Sequence, residues 1–161
     1  MNPLEQDREP ITPAGLVALD AELEELEGEA RRKMAARILA ARELGDLSEN
    51  AEYHIAKDDQ AHLETRIKRL RQRRRDAVIV EADAAPESVF SFGRTAEVFD
   101  EQSGNTFTWT IVGATEADLA KGKLSALSPV AKALVGKQPG ESIKVQTPRG
   151  VRNYRVERIV S

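Results

Sequence analysis

Between positions 13 and 44 the apolar residues recur in steps of three or four: Leu16, Leu19, Leu23, Leu26, Ala30, Met34, Ile38 and Ala41. From position 51 to about 77 the pattern resumes through Ala56, Leu63, Ile67 and Leu70. Such steps place the residues on one face of a helix. The stripe is narrow and its flanks are charged, with Glu22, Glu24, Glu25 and Glu27 on the first stretch and Arg66, Lys68, Arg69, Arg71 and Arg73 on the second. That is the pattern of a coiled-coil seam rather than of a globular core face. A short break between two such stretches makes them antiparallel, an αα-hairpin. Thr12 and Pro13 give a sound start, the threonine as N-cap and the proline at the first helical position. At roughly 1.5 Å per residue the first helix would run about 45 Å. That is an arm, not a domain core.

The period changes after Val80. Residues 81–88 are small, polar and proline-bearing, which predicts a linker. Alternating segments follow at 95–99 and 106–112, separated by turn residues at 100–105, as in a β-hairpin. Residues 128–136 carry Ser128 as N-cap, Pro129 at the first helical position and Gly136 after the last turn, predicting a short helix. Alternation returns at 142–146 and 152–159 around Thr147, Pro148, Arg149 and Gly150. The expected fold class is therefore two-domain α+β. It comprises an N-terminal extension at 1–10, an antiparallel hairpin at 11–80 with its tip at 45–50, the linker, and a small α+β domain at 89–161 with a twisted sheet against one helix.

Composition narrows the function. A net charge of −3 over 161 residues argues against holding bulk nucleic acid by the protein's own field. In the antiparallel hairpin the acidic beginning of the first helix lies beside the basic end of the second. Mutual screening then accounts for the basic run at 66–75, with a surface for nucleic acid or an acidic partner as the alternative. There is no cysteine, hence no disulfide framework and no thiolate nucleophile or ligand. No apolar run is long enough to span a membrane and the first residues lack signal-peptide character, so a cytoplasmic protein with no membrane partner is expected. His54 and His62 have no evident third ligand and are expected at surface or seam positions. Ser128 precedes a proline at a helix start, a cap rather than a nucleophile. The second half, lacking phosphate-loop, dinucleotide or triad patterns, suggests a binding or docking module.

The break between the helices carries the chemistry. It reads Gly45-Asp46-Leu47-Ser48-Glu49-Asn50-Ala51-Glu52-Tyr53. Asp46 and Glu49 have the spacing of a capping box, and Gly45 is a good helix stop. Local physics alone would choose these residues for a helical turn, yet side chains at the tip of a hairpin also face outward. Two carboxylates cannot complete an octahedral Mg²⁺ site unaided, but could add ligands to a site whose remaining oxygens belong to a partner. In two-metal phosphodiester cleavage such a second ion activates water and clamps the phosphate.

The tip sequence, from Gly45 through His54 and preceded by Ala40-Ala41-Arg42, resembles the signature of the Gre transcript-cleavage factors of bacteria, the GreA type. The likeness extends to Ile111-Val112-Gly113, Glu116-Ala117-Asp118, Ser128-Pro129-Val130-Ala131 and Leu134-Val135-Gly136-Lys137, nearly the whole chain from Ile11. The resemblance implies an N-terminal coiled coil and an FKBP-like C-terminal domain that docks on RNA polymerase at the rim of its secondary channel. The hairpin would pass down that channel into a backtracked elongation complex, towards the nascent RNA 3′ end. Asp46 and Glu49 would be the catalytic and metal-binding residues, helping to hold a second Mg²⁺ shared with the polymerase and not stably bound by this protein alone. Ser48, Asn50 and Tyr53 would support the acids, and Arg42 and Lys57 would contact RNA phosphates or the channel wall. The polymerase performs the cleavage, so the protein is expected to be no enzyme itself, and a monomer. The basic run low on the second helix fits the GreA type and short backtracked RNA. Two alternatives stay open: a Gre-like channel inhibitor, a class whose tips are altered, and an interaction module whose tip acids are only caps.

Overall fold

The computed structural model describes residues 8–81 and 88–160. Most of the expected linker, at 82–87, and residues 1–7 of the expected extension lie outside the described residues. Two compact units result. One is Leu16–Ala77; the other joins the described residues up to Gly15 with those from Val78 onward. The edges differ from the sequence reading because strand β1, Glu9–Ile11, pairs with β2, Ala77–Ile79, and the Val80 amide donates to the Ile11 carbonyl. Glu9, Pro10 and Ile11 therefore do structural work that the apolar pattern did not display.

In the helical unit, α1 (Pro13–Glu25) continues through a π-helical turn at Leu26–Ala30 into α2 (Arg31–Arg42), and α3 (Ala51–Asp76) returns antiparallel to them. The π turn departs from the uninterrupted helix that the sequence predicts. Such a turn inserts one residue into the helical repeat, and Gly28, which carries no side chain to crowd the widened turn, lies at its centre. Leu19, Ile38, Ala41, Ala56, Ile67 and Leu70 are buried, and the other predicted stripe residues are half-buried, so the narrow seam forms as expected. Val17, Leu39 and Ile55 fall outside its phase and are exposed.

The charged flanks meet across the hairpin. Arg66 pairs with Glu22 at 2.7 Å, Arg71 with Glu27 at 2.6 Å and Arg74 with Asp20 at 2.8 Å. Nearer the tip, Arg31 holds Glu64 through two parallel bonds of 3.0 and 2.9 Å, and Arg37 holds Asp59 at 2.6 Å. Exposed pairs of this kind contribute about 0.2–1 kcal/mol each, so they fix register more than they stabilise. The screening explanation of the basic run thus holds for Arg66, Arg71 and Arg74.

The second unit is a five-stranded sheet in the order β5-β4-β3-β7-β6, where β3 is Thr95–Asp100, β4 Thr106–Val112, β5 Lys123–Ser125, β6 Ser142–Thr147 and β7 Gly150–Ile159. All neighbours are antiparallel except β4 and β5. Phe90, Ala96, Val98, Ile111 and Val156 pack with Ala131 and Leu134 of α4 (Pro129–Leu134) in one core. Ser128 accepts the Ala131 amide at 3.1 Å, the cap expected of it. The three-residue β5 and a 3₁₀ turn at Leu119–Lys121 arise where the sequence showed only loop. Gly122 links them with φ 75° and leaves no room for a Cβ beneath the Thr108 carbonyl.

Candidate functional site at the hairpin tip

Helix α2 ends at Arg42, and the chain turns through Glu43 and Leu44 into Gly45, whose φ of 121° lies in a region that side chains rarely adopt. Beyond it Asp46 closes an Asx-turn. Its Oδ1 accepts the Ser48 amide at 3.0 Å and the Ser48 hydroxyl at 2.9 Å. Both bonds fall on one oxygen, so the second is available to a ligand. These bonds, the hydroxyl's first and the amide's next, hold the Asp46 carboxyl below the usual carboxylate range. It therefore keeps its negative charge on acidification past the point where an ordinary aspartate begins to protonate. In Ser48→Ala the larger of the two causes disappears, and Asp46 is expected to titrate closer to an ordinary aspartate, as a pH series of carboxyl NMR shifts would read directly.

The capping box expected of Asp46 and Glu49 does not form. The N-cap of α3 is Asn50, whose Oδ1 accepts the Tyr53 amide at 3.1 Å while its Nδ2 donates to the Ala41 carbonyl at 2.5 Å. The reason is geometric. Asn50 offers both an acceptor for the start of α3 and a donor that reaches back across the turn to the end of α2, and a carboxylate has no such donor. Glu49 is exposed and joins no hydrogen bond among the described residues. Asn50→Ala removes both bonds, and the cap alone contributes about 0.5–2 kcal/mol. Chemical denaturation followed by helical circular dichroism should register a loss at or above the upper end of that range, with Asn50→Asp intermediate because it keeps the cap and loses the donor.

The other predicted residues divide. Ser48, Asn50 and Tyr53 gather at the turn. The Arg42 guanidinium lies over the Tyr53 ring, 5.8 Å from its centroid, and His54 meets the same ring edge-on at 5.7 Å. Lys57 is further along α3, bonded to Gln60 at 3.0 Å, and the structure does not bring it to the acids. Arg42 and Lys57 share one property: among the described residues neither takes part in an ion pair, whereas Arg31, Arg37, Arg66, Arg71 and Arg74 each hold an acid across the hairpin. Leu44, Leu47 and Ile55 are exposed apolar neighbours of the tip that the sequence reading passed over. Their signal was an apolar residue out of phase with the seam.

Among the described residues no group of three or more His, Cys, Asp or Glu side chains could hold a metal ion. The tip instead offers hard oxygen donors on exposed side chains, one of them oriented in advance. That donor set fits Mg²⁺ whose other oxygens come from elsewhere.

Comparison with known proteins agrees in both halves of the chain. Residues 9–79 match the family model described as Transcription elongation factor, N-terminal. Residues 85–161 match that described as Transcription elongation factor, GreA/GreB, C-term. Transcription elongation factor GreA of Rhodospirillum rubrum is 44% identical over 147 residues, covering 91% of this chain and 94% of the relative. That of Nautilia profundicola is 43% identical over 152 residues, 94% of each chain. Among solved structures, GreA factor homolog 1 (Gfh1) of Thermus thermophilus is 29% identical, covers 96% of this chain and 99% of its own, and superposes with a TM-score of 0.44.

Proposed function

The chain belongs to the GreA/GreB family of transcription elongation factors, and on that premise we propose that it stimulates RNA polymerase to cleave its own transcript in backtracked complexes. One observation carries the reading. Asn50, not Asp46 or Glu49, caps α3, so neither carboxylate is explained by helix capping; Glu49 joins no hydrogen bond among the described residues, and Asp46 keeps one oxygen clear of its Asx-turn. They stand exposed at the end of a hairpin whose register is set by ion pairs along its length.

In this reading Asp46 and Glu49 are the residues that would hold Mg²⁺ jointly with ligands of the polymerase active centre. The ion, when bound, supplies water activation and charge neutralisation at the phosphodiester. The chain's own residues do the rest. Ser48 fixes the orientation of the Asp46 carboxylate. Asn50 locks the turn to both helices. Arg42, braced on Tyr53, presents unpaired positive charge to RNA phosphates or the channel wall beside the tip, and Lys57 does so further along α3. The sheet unit docks on the polymerase surface, and the protein lends ligands to an active site it does not itself contain. The intact pair of acids favours stimulation over the inhibitory alternative.

The test is RNA shortening in a stalled, backtracked elongation complex supplied with Mg²⁺, with and without the protein. Accelerated release of 3′ fragments is expected. Suppressed polymerase activity with no shortening would move the chain to the inhibitory class.

A further inference from the structure

The Glu116-Ala117-Asp118 motif has no part in the tip chemistry, yet Glu116 is among the most engaged side chains of the sheet unit. Its carboxylate accepts the Thr12 hydroxyl, the Thr12 amide at 3.1 Å and the Gly113 amide at 3.0 Å. Thr12 is the residue before α1, and its hydroxyl in turn accepts the Gly15 amide at 3.0 Å. Half of a capping box is thereby present: the N-cap hydroxyl binds the amide of the third helical residue. In the usual box a Glu or Gln at that third position reaches back to the N-cap amide. Here that position is Gly15, a poor helix former, and the N-cap amide is taken by a carboxylate 104 residues away. The glycine is the other side of the same arrangement, since a Cβ at Gly15 would overlap the Glu116 carboxylate. Gly113 is matched to it as well, because a Cβ there would collide with the Pro10 carbonyl and press on Glu116.

We propose that Glu116 is a positioning residue for transcript cleavage: it completes the N-terminal cap of α1 and clamps the root of the helix whose continuation leads to the acidic tip. The clamp places a carboxylate at the positive end of the helix and fixes the first turn of α1 to the turn at Gly113. This rests on the cleavage reading given above. Glu116 touches neither metal nor RNA in it. It acts through the helix it holds.

A cap and a clamp make different predictions, and two variants separate them. Glu116→Ala removes the carboxylate. Gly15→Glu combined with Glu116→Ala restores a capping box within α1 itself, in the space Glu116 vacates, without restoring the clamp. In Glu116→Ala the amides of Thr12 and Gly15 are expected to lose protection from hydrogen exchange. RNA cleavage at saturating protein is expected to fall about tenfold, with half-saturation unchanged within about twofold, since small misplacement of a reacting group costs up to about 100-fold. The double variant should recover amide protection at position 15 and not the cleavage rate. Fluorescence of Trp109, the single tryptophan and a buried residue of the sheet core, confirms in each variant that this unit is folded. Unchanged cleavage in Glu116→Ala, loss of polymerase binding in step with cleavage, or full rescue by the double variant would each overturn the positioning role. Unchanged amide protection would overturn the clamp itself. If the wild-type protein stimulated no cleavage, the functional reading would fail while hydrogen exchange still decided the clamp.

Discussion

Asp46→Asn is expected to lower stimulated RNA cleavage by at least about 100-fold while leaving the hairpin folded. Loss of an outer-shell partner of a metal ligand already costs 10–100-fold, and a direct ligand should cost no less. Asparagine conserves the local structure for a specific reason. Its side-chain carbonyl can accept the Ser48 amide and hydroxyl as Asp46 does, so the Asx-turn survives. What disappears is the charge and the second anionic oxygen. Stability should stay within about 0.5 kcal/mol of wild type, as for other exposed positions. Polymerase binding should persist, which makes the variant a competitor of the wild-type protein in the cleavage assay. Full cleavage by the variant would remove Asp46 from the chemistry and leave it as a turn residue.

The sequence alone could not have said which residue caps α3. Three candidates sit within five positions: Asp46, Ser48 and Asn50. The choice is made by a bond across the turn to the Ala41 carbonyl, nine residues back, which no local pattern displays. The seam was legible because burial along a helix repeats, and Leu19, Ile38, Ala41, Ala56, Ile67 and Leu70 repeat with it. The hairpin of β3 and β4 was legible for the analogous reason in a strand. Strands β1, β2 and β5, each three residues long, are too short to show a period, and they form because a partner strand offers hydrogen bonds. The basic run left two explanations open until the structure set Arg66, Arg71 and Arg74 against acids of the first helix. Glu116 stands out in the sequence only as part of the family resemblance. Its role depends on Thr12 and Gly15, and separations of that order are invisible to any window along the chain.

The same seam sets the second large effect. Ile67 is fully buried in a hairpin that buries few side chains, so Ile67→Ala is expected to cost about 2–5 kcal/mol, the range for deleting a buried aliphatic side chain and leaving a cavity. A globular core can relax around such a cavity from all sides, whereas a two-helix seam has one layer of neighbours and water beyond it. The ion pairs cannot offset the loss, because they are exposed and contribute about 0.2–1 kcal/mol each. Helical circular dichroism should therefore show the arm melting well below wild type, while Trp109 fluorescence from the sheet core shifts far less. Leu39→Ala serves as the control: the same kind of truncation at an exposed position on α2 should be near neutral. If Ile67→Ala were neutral and charge reversal at Arg66, Arg71 and Arg74 unfolded the arm instead, the flanks rather than the seam would hold the hairpin together. On the seam account, a destabilised arm loses cleavage even though Asp46 and Glu49 are untouched, because the acids act only from the end of a formed hairpin.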